Sequence, residues 1–512
     1  MFKIIDRFID SIEKSRVELL EFFFSLVSIV VLRTFFENLL EKRHKILYDI
    51  SFYETLIDFF HIFISWATLY LLISLILHFA TKKPLEKVLK VTLFLFPVII
   101  IVPILDVTIF QSGTIHYLYS FDGFWHSFFH LFDPNAKIDF ITSGVRVEIF
   151  VILLLSAYYL REVKISHRML ALLAIYTTVF IYGYLPAFYN YFFSTYSDIL
   201  QSAVLPPYSD VALNLFLYTP IVLFLLVYFF RVYKNIFMNF LRIERFSIYI
   251  GIYIFSIIST LLSTLIQSDI LNFYDLSKIF IGLLVLFFSF TFSTILNDLY
   301  DKNIDLISNK SRPFVVSIIS EKEMSALLII TLFLLFGYAL SINAVVAILM
   351  SFIVALSYLY SAKPFRLRRF FLTANFLLAF IAVCVYLLAV AILQGNDLYE
   401  YIDMRVVYSL GIIFFFAASI KDIKDKEGDS VEGVVTLTTL MGVKNSFKVL
   451  KIAMLFVFEI AAYILAVGVF WQLLILLVCL FAAIYCKNSE KYLMLIQFIG
   501  FLLYFGYILK LF

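Results

Sequence analysis

Fifteen runs of mostly apolar residues, most of them close to the length that crosses a bilayer, dominate this chain of 512 residues. A spanning helix needs about 20 predominantly apolar residues, because the hydrocarbon core is about 30 Å thick. Hydrophobic residues make up 63% of the chain and charged residues only 15%, which is too few charges to cover a water-soluble surface. We therefore predict an all-α, polytopic membrane protein.

The apolar runs fall into two blocks on either side of a charged joint at residues 231–245. This joint predicts an N-terminal membrane domain, 1–235, with about six spans and a C-terminal domain, 236–512, with about nine. The fourth run is short for a span. The candidate spans lie near 17–36, 53–79, 90–110, 147–160, 169–192, 211–230, 246–267, 277–296, 325–341, 343–360, 371–393, 404–420, 447–468, 470–486 and 491–511.

Lysine and arginine alternate between loops in the way that the positive-inside rule requires. The basic inner loops lie at 82–90, 161–168, 231–245, 363–369, 421–448 and 487–491. The outer loops are acidic or nearly uncharged, apart from two mixed segments at 37–52 and 111–146. This pattern predicts a multi-pass protein of the cell membrane with a cytoplasmic N-terminus and an external C-terminus.

Two aspartate motifs with the same spacing each follow an apolar run of the second block. Residues 297–305 read N-D-L-Y-D-K-N-I-D, and residues 422–429 read D-I-K-D-K-E-G-D. On a helix that turns about 100° per residue, offsets of three and seven return to within roughly 60° of the starting direction. Each motif is therefore expected to present three carboxylates on one face, and the topology puts both motifs on the cytoplasmic side.

Like charges on one helical stripe repel one another, so two such stripes on the same side predict cations between them. Carboxylates that share a metal with phosphate oxygens suit Mg²⁺, and no histidine follows His167 that would suit zinc or iron. A diphosphate that bridges two Mg²⁺ ions fits such a site. The alternative is a set of solvated charges at the membrane edge, which a single motif would not exclude.

Basic residues that could bind phosphate oxygens lie near both motifs. The segment 360–369 is rich in lysine and arginine, although orientation in the membrane alone would also explain a basic inner loop. The candidate diphosphate-binding residues are Arg312, Lys363, Arg366 and Lys421.

From about residue 245 to the end, the chain resembles the UbiA superfamily of intramembrane prenyltransferases. The family pattern is a nine-helix bundle, with an N-D-x-x-D-x-x-x-D motif after the second helix and a D-x-x-D-x-x-x-D-type motif after the sixth. Segments 309–313, 320–323, 360–375 and 433–437 also resemble family stretches. One departure is Val-Val-Ser-Ile at 315–318, where the family usually has a Pro-Ser-Gly-Arg-like stretch.

The resemblance implies roles for individual residues. Asp301 and Asp425 would be the central catalytic carboxylates. One Mg²⁺ would be held by Asn297, Asp298, Asp301 and Asp305, and the second by Asp422, Asp425 and Asp429. Arg312, Lys363, Arg366 and Lys421 would neutralise the diphosphate.

The resemblance implies a magnesium-dependent transferase of prenyl groups, with its active-site loops at the cytoplasmic face. Such an enzyme moves a polyprenyl group from an allylic diphosphate to a small acceptor, which is an aromatic or lipid precursor of quinone or lipid biosynthesis. Two alternatives stay open, namely phosphoribosyl transfer to a polyprenyl phosphate and a non-catalytic isoprenoid-binding or transport protein. We expect no nucleic-acid partner.

Residues 1–230 contain all seven histidines but no motif with recognisable chemistry. His126 and His130 are spaced so that they could share a metal, but the surrounding aromatic residues favour an amphipathic helix at the membrane interface. Few charges fall inside these spans, which argues against an ion-coupled transporter. We therefore expect an accessory membrane domain.

Overall fold

A computed structural model describes the chain over most of both predicted domains. It describes residues 2–41, 52–110, 123–133, 136, 138, 141–185, 187, 215–224, 250–254, 256–258, 260, 273–308, 320–395 and 398–508. Nearly all ordered elements in these ranges are helices, and the one β contact is an isolated parallel bridge between Phe370 and Val435. The prediction of an all-α, polytopic membrane protein is confirmed. Two compact units divide the chain, Met1–Val232 and Tyr233–Phe512.

The N-terminal unit contains eight labelled helices and one π-helical turn. The helices are α1 (Phe2–Lys14), α2 (Leu19–Glu41), α3 (Phe52–Thr81), α4 (Leu85–Leu95), α5 (Val98–Leu105), α6 (Phe124–His130), α7 (Ser143–Tyr159) and α8 (Ile165–Gly183). The π-helical turn, Asp106–Phe110, directly follows α5. His126 and His130 lie on exposed positions of α6 with their rings stacked 4.6 Å apart, and nothing in the described residues brings a third metal ligand to them.

The C-terminal unit contains eleven labelled helices. They are α9 (Phe273–Tyr300), α10 (Lys302–Ser308), α11 (Glu321–Ile342), α12 (Ala344–Ser361), α13 (Phe371–Gln394), α14 (Leu398–Tyr401), α15 (Met404–Val431), α16 (Leu437–Met441), α17 (Val443–Ile464), α18 (Val469–Tyr485) and α19 (Ser489–Ile508).

Eight described helices are long and apolar enough to cross a membrane, and the bent helix α15 would make a ninth. Shorter apolar helices lie at Leu215–Phe224, Val469–Tyr485 and Lys491–Tyr504. The predicted spans at 211–230 and 246–267 fall partly outside the described residues, so the predicted total of fifteen stays a prediction. The eight are Leu19–Glu37, Phe59–Thr81, Leu85–Phe110, Ile165–Gly183, Asp275–Tyr300, Glu321–Ile342, Ala344–Ser361 and Phe371–Gln394.

Close helix contacts and polar side-chain pairs hold the C-terminal unit together near its two aspartate motifs. Helix α13 is rich in buried alanines, which let neighbouring helices approach closely in lipid. Asn375 of α13 donates a hydrogen bond to the Ser419 hydroxyl of α15, at 2.6 Å. The hydroxyls of Ser293 in α9 and Ser357 in α12 are 2.7 Å apart. These pairs fix the relative positions of the helices that lead into the site.

Candidate active site

The first motif spans the break between helices α9 and α10. Asp301 stands between them, but the helical hydrogen bonds continue through it. The Asp301 N–H donates to the Asn297 carbonyl, and the Asp305 N–H donates to the Asp301 carbonyl, both at 2.9 Å. Asp298, Asp301 and Asp305 are all buried, whereas Asn297 is half-buried. The continued helical backbone thus places all three carboxylates at buried positions.

The second motif lies in α15, whose two arms, Met404–Ile420 and Asp425–Val431, differ in direction by 81°. Asp422 lies in the segment between the arms, so this motif does not occupy one straight helical stripe. Asp422 and Asp425 are half-buried and Asp429 is fully buried. The Asp429 carbonyl accepts a hydrogen bond from the Val434 N–H, at 2.8 Å, which turns the chain back after the helix.

Arg368 joins the two motifs. Its Nη1 forms an ion pair with the Asp301 carboxylate of the first motif, and its Nη2 lies 3.2 Å from Asp429 Oδ1 of the second. Asp301 is 1% exposed and Asp429 0% exposed, so the guanidinium connects two buried carboxylates. The two motifs are therefore within reach of a single side chain.

Arg366 makes a second set of contacts around Asp301. Its Nη2 lies 3.3 Å from Asp301 Oδ1 and donates to the Tyr300 carbonyl at 3.4 Å, while its Nη1 lies 3.3 Å from Glu432 Oε2. A hydrogen bond from the Asn303 side chain, followed by the Arg366 guanidinium, lowers the pKa of Glu432 below its ordinary value. The arginines thus link the end of α9 and Asp301 to the end of α15.

The loop between α12 and α13, residues 362–370, has a backbone shape that presents both arginines to the motifs. Arg366 adopts the left-handed conformation, with φ 42° and ψ 55°, and a 3₁₀ turn follows at Leu367–Arg369. The Val435 N–H donates to the Arg369 carbonyl at 2.9 Å. This main-chain bond anchors the loop to the segment after the second motif.

The donor set fits magnesium shared with a phosphorylated substrate better than a self-sufficient metal cage. All the acidic ligands offer hard carboxylate oxygens, which Mg²⁺ prefers. Among the described residues, no three acidic, histidine or cysteine side chains converge closely enough to hold a metal by themselves. Mg²⁺ usually binds through one or two carboxylates together with waters and substrate phosphates, so a complete protein cage is not required.

The predicted diphosphate-binding residues have different positions. Arg366 is buried against the first motif, and Lys363 is exposed at the start of the same loop. Arg312 and the altered segment 315–318 lie outside the described residues, and Lys421 lies in α15. Arg368 had no role in the predicted site. The sequence feature that could have indicated a role for Arg368 is its position two residues after Arg366 in the same basic loop.

Comparison with known proteins finds relatives of the C-terminal unit. The model of the UbiA prenyltransferase family matches residues 254–493. A digeranylgeranylglyceryl phosphate synthase of Saccharolobus solfataricus is 30% identical over 192 residues, which is 36% of this chain and 65% of that protein. The synthase of the same name from Methanocaldococcus jannaschii is 26% identical over 209 residues, 40% of this chain and 70% of that protein.

Two solved structures of UbiA homologues are also similar. The apo homologue from Aeropyrum pernix has a TM-score of 0.42 and 17% identity, covering 53% of this chain and 100% of that one. The homologue from Archaeoglobus fulgidus bound to DMAPP and Mg²⁺ has a TM-score of 0.39 and 17% identity, covering 53% and 99%. The family match and the sequence relatives thus agree that residues 254–493 of this chain are similar to the UbiA prenyltransferase family.

Proposed function

We propose that the C-terminal unit is a magnesium-dependent prenyltransferase that moves a prenyl group from an allylic diphosphate to a glyceryl phosphate lipid. The observation that carries the proposal is the pair of contacts from Arg368 to Asp301 and Asp429, which puts both motifs around one position. The proposed acceptor class is supported by four relatives that are each named digeranylgeranylglyceryl phosphate synthase.

The chain's own residues would bind and orient the diphosphate. Arg366 and Arg368 present guanidinium groups, which suit the paired oxygens of a phosphate, and Lys363 adds a mobile positive charge at the edge of the site. Asp301 and Asp425, with the other carboxylates of their motifs, would hold the metal ions. Bound magnesium neutralises the charge that grows on the leaving diphosphate.

In the proposed reaction, the bond between the allylic carbon and the diphosphate oxygen breaks, and both electrons leave with the diphosphate. The acceptor hydroxyl oxygen then bonds to that carbon and releases its proton to solvent or to the diphosphate. The arginines stabilise the leaving group, since fixed positive charges in a site of low polarity are effective where negative charge develops. The apolar helices of the unit would exclude water from the allylic cation.

The test uses the purified full-length protein with Mg²⁺, geranylgeranyl diphosphate and geranylgeranylglyceryl phosphate. We expect digeranylgeranylglyceryl phosphate and inorganic diphosphate in equal amounts by mass spectrometry, with both lost on chelation and restored by Mg²⁺. Diphosphate release with a different acceptor would support the proposed transferase activity but contradict the proposed lipid acceptor. Binding of the donor without any release of diphosphate would favour a non-catalytic isoprenoid-binding protein.

We further propose that the site faces the cytoplasm, which the basic residues of the 363–369 loop support through the positive-inside rule. In inverted and right-side-out vesicles, a Glu427→Cys variant should react with a membrane-impermeant thiol reagent only from the cytoplasmic side. Labelling from the external side alone would reverse this orientation.

A further inference from the structure

Three buried ionisable residues meet in the N-terminal unit, although few charges fall inside its spans. Arg33 lies in the second half of α2, Asp106 begins the π-helical turn after α5, and Glu148 lies in α7. Helix α5 packs against both α2 and α7. The three residues are only 2%, 0% and 6% exposed. Ionisable residues buried inside a membrane domain are rare and are usually functional.

The Asp106 carboxyl group accepts hydrogen bonds from the start of α7. The Thr142 hydroxyl donates to its Oδ2 at 2.5 Å, and the Gly144 N–H donates to its Oδ1 at 2.7 Å. Thr142 is the N-cap of α7, where backbone N–H groups and the helix dipole favour negative charge. A Cβ on Gly144 would come within 2.7 Å of the Asp106 carboxyl group, so the glycine permits this approach.

Arg33 uses only part of its hydrogen-bonding capacity. Its Nη1 lies 2.8 Å from Glu37 Oε2 on the same helix, and its guanidinium lies 5.9 Å from the centre of the Trp66 ring. Its Nε is buried and has no hydrogen-bond partner within the described parts of the chain. The positive charge of Arg33 is therefore balanced by Glu37, and one donor of Arg33 stays unused.

The Glu148 carboxyl group is buried and incompletely hydrogen-bonded. Its Oε1 is buried without a hydrogen-bond partner among the residues that the structure describes. Arg33 and Asp106 both lie within electrostatic range of its carboxyl group. Because Arg33 is already paired with Glu37, an ionised Glu148 would place a charge in a buried position where one carboxylate oxygen has no hydrogen-bond partner among the described residues. A buried carboxylate in this position requires a bound proton or cation.

We propose that Glu148 is a proton-binding site inside the N-terminal membrane unit, where one exchangeable proton neutralises its buried carboxyl group. A proton satisfies a single carboxylate oxygen, whereas hard metal cations take about six oxygen ligands. The described residues contain no cluster of three acidic, histidine or cysteine side chains that could hold a metal ion, which favours the proton. Acidic side chains of this kind are the elements of proton relays in membranes.

The remaining helix that packs on α7 adds no further acidic group. Helix α8 contains no aspartate or glutamate. Its Arg168 binds the backbone carbonyls of Leu160, Arg161 and Val163 at the far end of α7. Its Tyr176 and Tyr182 hydroxyls donate to the backbone carbonyls of Phe128 and Ser65. On α7 itself, Arg146 binds the carbonyls of Asp133 and Ala136. Within the described parts of the chain, the charged groups that act on Glu148 are thus Arg33 and Asp106.

The test treats the full-length protein in lipid nanodiscs with N,N′-dicyclohexylcarbodiimide, which enters apolar regions and reacts with protonated carboxyl groups. The carboxyl proton passes to a carbodiimide nitrogen, the carboxylate oxygen bonds to the central carbon, and the adduct rearranges to a stable N-acylurea. Peptide mass spectrometry should find this adduct on Glu148. Its amount should fall about tenfold for each pH unit above the midpoint, and Na⁺ should not change it. Glu37, which is paired with Arg33, is the matched carboxyl that should stay unmodified.

Two variants make the result specific. Glu148→Gln should remove the adduct and also the infrared C=O band of a protonated acid that shifts in D₂O. Arg33→Gln should move the labelling midpoint to higher pH, because the loss of a neighbouring positive charge disfavours the carboxylate. The proposal is overturned if wild-type protein shows neither the adduct nor the band at any pH. Protection of Glu148 by Na⁺ at constant pH would also overturn it, in favour of a metal cation.

Discussion

Val435 donates its backbone N–H to the carbonyl oxygen of Arg369, at 2.9 Å. The neighbouring Phe370 forms the parallel bridge with Val435, so two loops that are distant in sequence share a short stretch of paired main chain. One loop carries the two arginines of the site, and the other directly follows the second aspartate motif. The position of the arginines relative to that motif is therefore set by the backbone as well as by ion pairs.

Replacement of Val435 by proline should slow prenyl transfer by up to about 10²-fold, the scale that a displacement of ~1 Å produces. Proline has no N–H, so the bond to Arg369 is lost. Val435→Ala keeps the N–H and is the matched control. Steady-state rates of prenyl transfer are measured for both variants, together with their thermal unfolding temperatures. Equal rates for the two variants would show that the main-chain bond does not position the loop.

Replacement of Arg368 by glutamine should destabilise the protein by roughly 3 kcal/mol, because it leaves two buried carboxylates without their shared partner. Added Mg²⁺ should recover part of this loss in the variant, since cations can compensate the same carboxylates. Arg405→Gln is the control, because Arg405 is an exposed arginine paired with Asp403. Thermal unfolding with and without Mg²⁺ measures both effects. A variant that is as stable as the control would contradict the bridging role.

Asp301→Asn and Asp425→Asn should each lower the rate of prenyl transfer by about 10²-fold or more, since each removes a carboxylate that is proposed to hold magnesium. Glu427→Gln removes an exposed charge from the same arm of α15 as Asp425 and should leave the rate nearly unchanged. Rates of diphosphate release over a Mg²⁺ titration provide the measurement. Wild-type rates in both aspartate variants would remove the metal-binding proposal.

Glu432 should make the stability of the C-terminal unit depend weakly on pH. Its folded-state pKa is lowered by Asn303 and Arg366, so its contribution is present above the unfolded-state pKa and is lost as pH falls through the folded value. The side chain is partly exposed, and the expected effect is below about 1 kcal/mol. Denaturation of wild type and Glu432→Gln should differ at neutral pH and converge in acid. A difference that persists in acid would rule out this cause.

Gly144→Ala should destabilise the N-terminal unit by about 1–3 kcal/mol, because the new methyl group would overlap the Asp106 carboxyl group. Gly183→Ala in α8 is the matched control, since a Cβ there meets nothing within 4 Å. Thermal unfolding of the two variants in the same detergent makes the comparison. If both alanine variants unfold at the wild-type temperature, Asp106 does not occupy the start of α7 in this way.

The all-helical membrane fold and the two aspartate motifs could be predicted from local sequence. A spanning helix satisfies its backbone hydrogen bonds within one segment, so a run of apolar residues is sufficient to predict it. The spacing of Asp298, Asp301 and Asp305 is likewise a local pattern, and the helical hydrogen bonds through Asp301 preserve it. The family resemblance rested on the same short segments.

The partners of these residues were decided by the tertiary structure alone. Arg368 and Asp429 are 61 positions apart, and no local pattern distinguishes Arg368 from the other basic residues of its loop. The bend in α15 and the left-handed conformation of Arg366 also depend on how the helices pack. In the N-terminal unit, Arg33, Asp106 and Glu148 come from three separate helical segments, which are far apart in sequence. Helical periodicity shows which residues share one face of a helix, whereas the pairing of buried charges depends on which helices are neighbours.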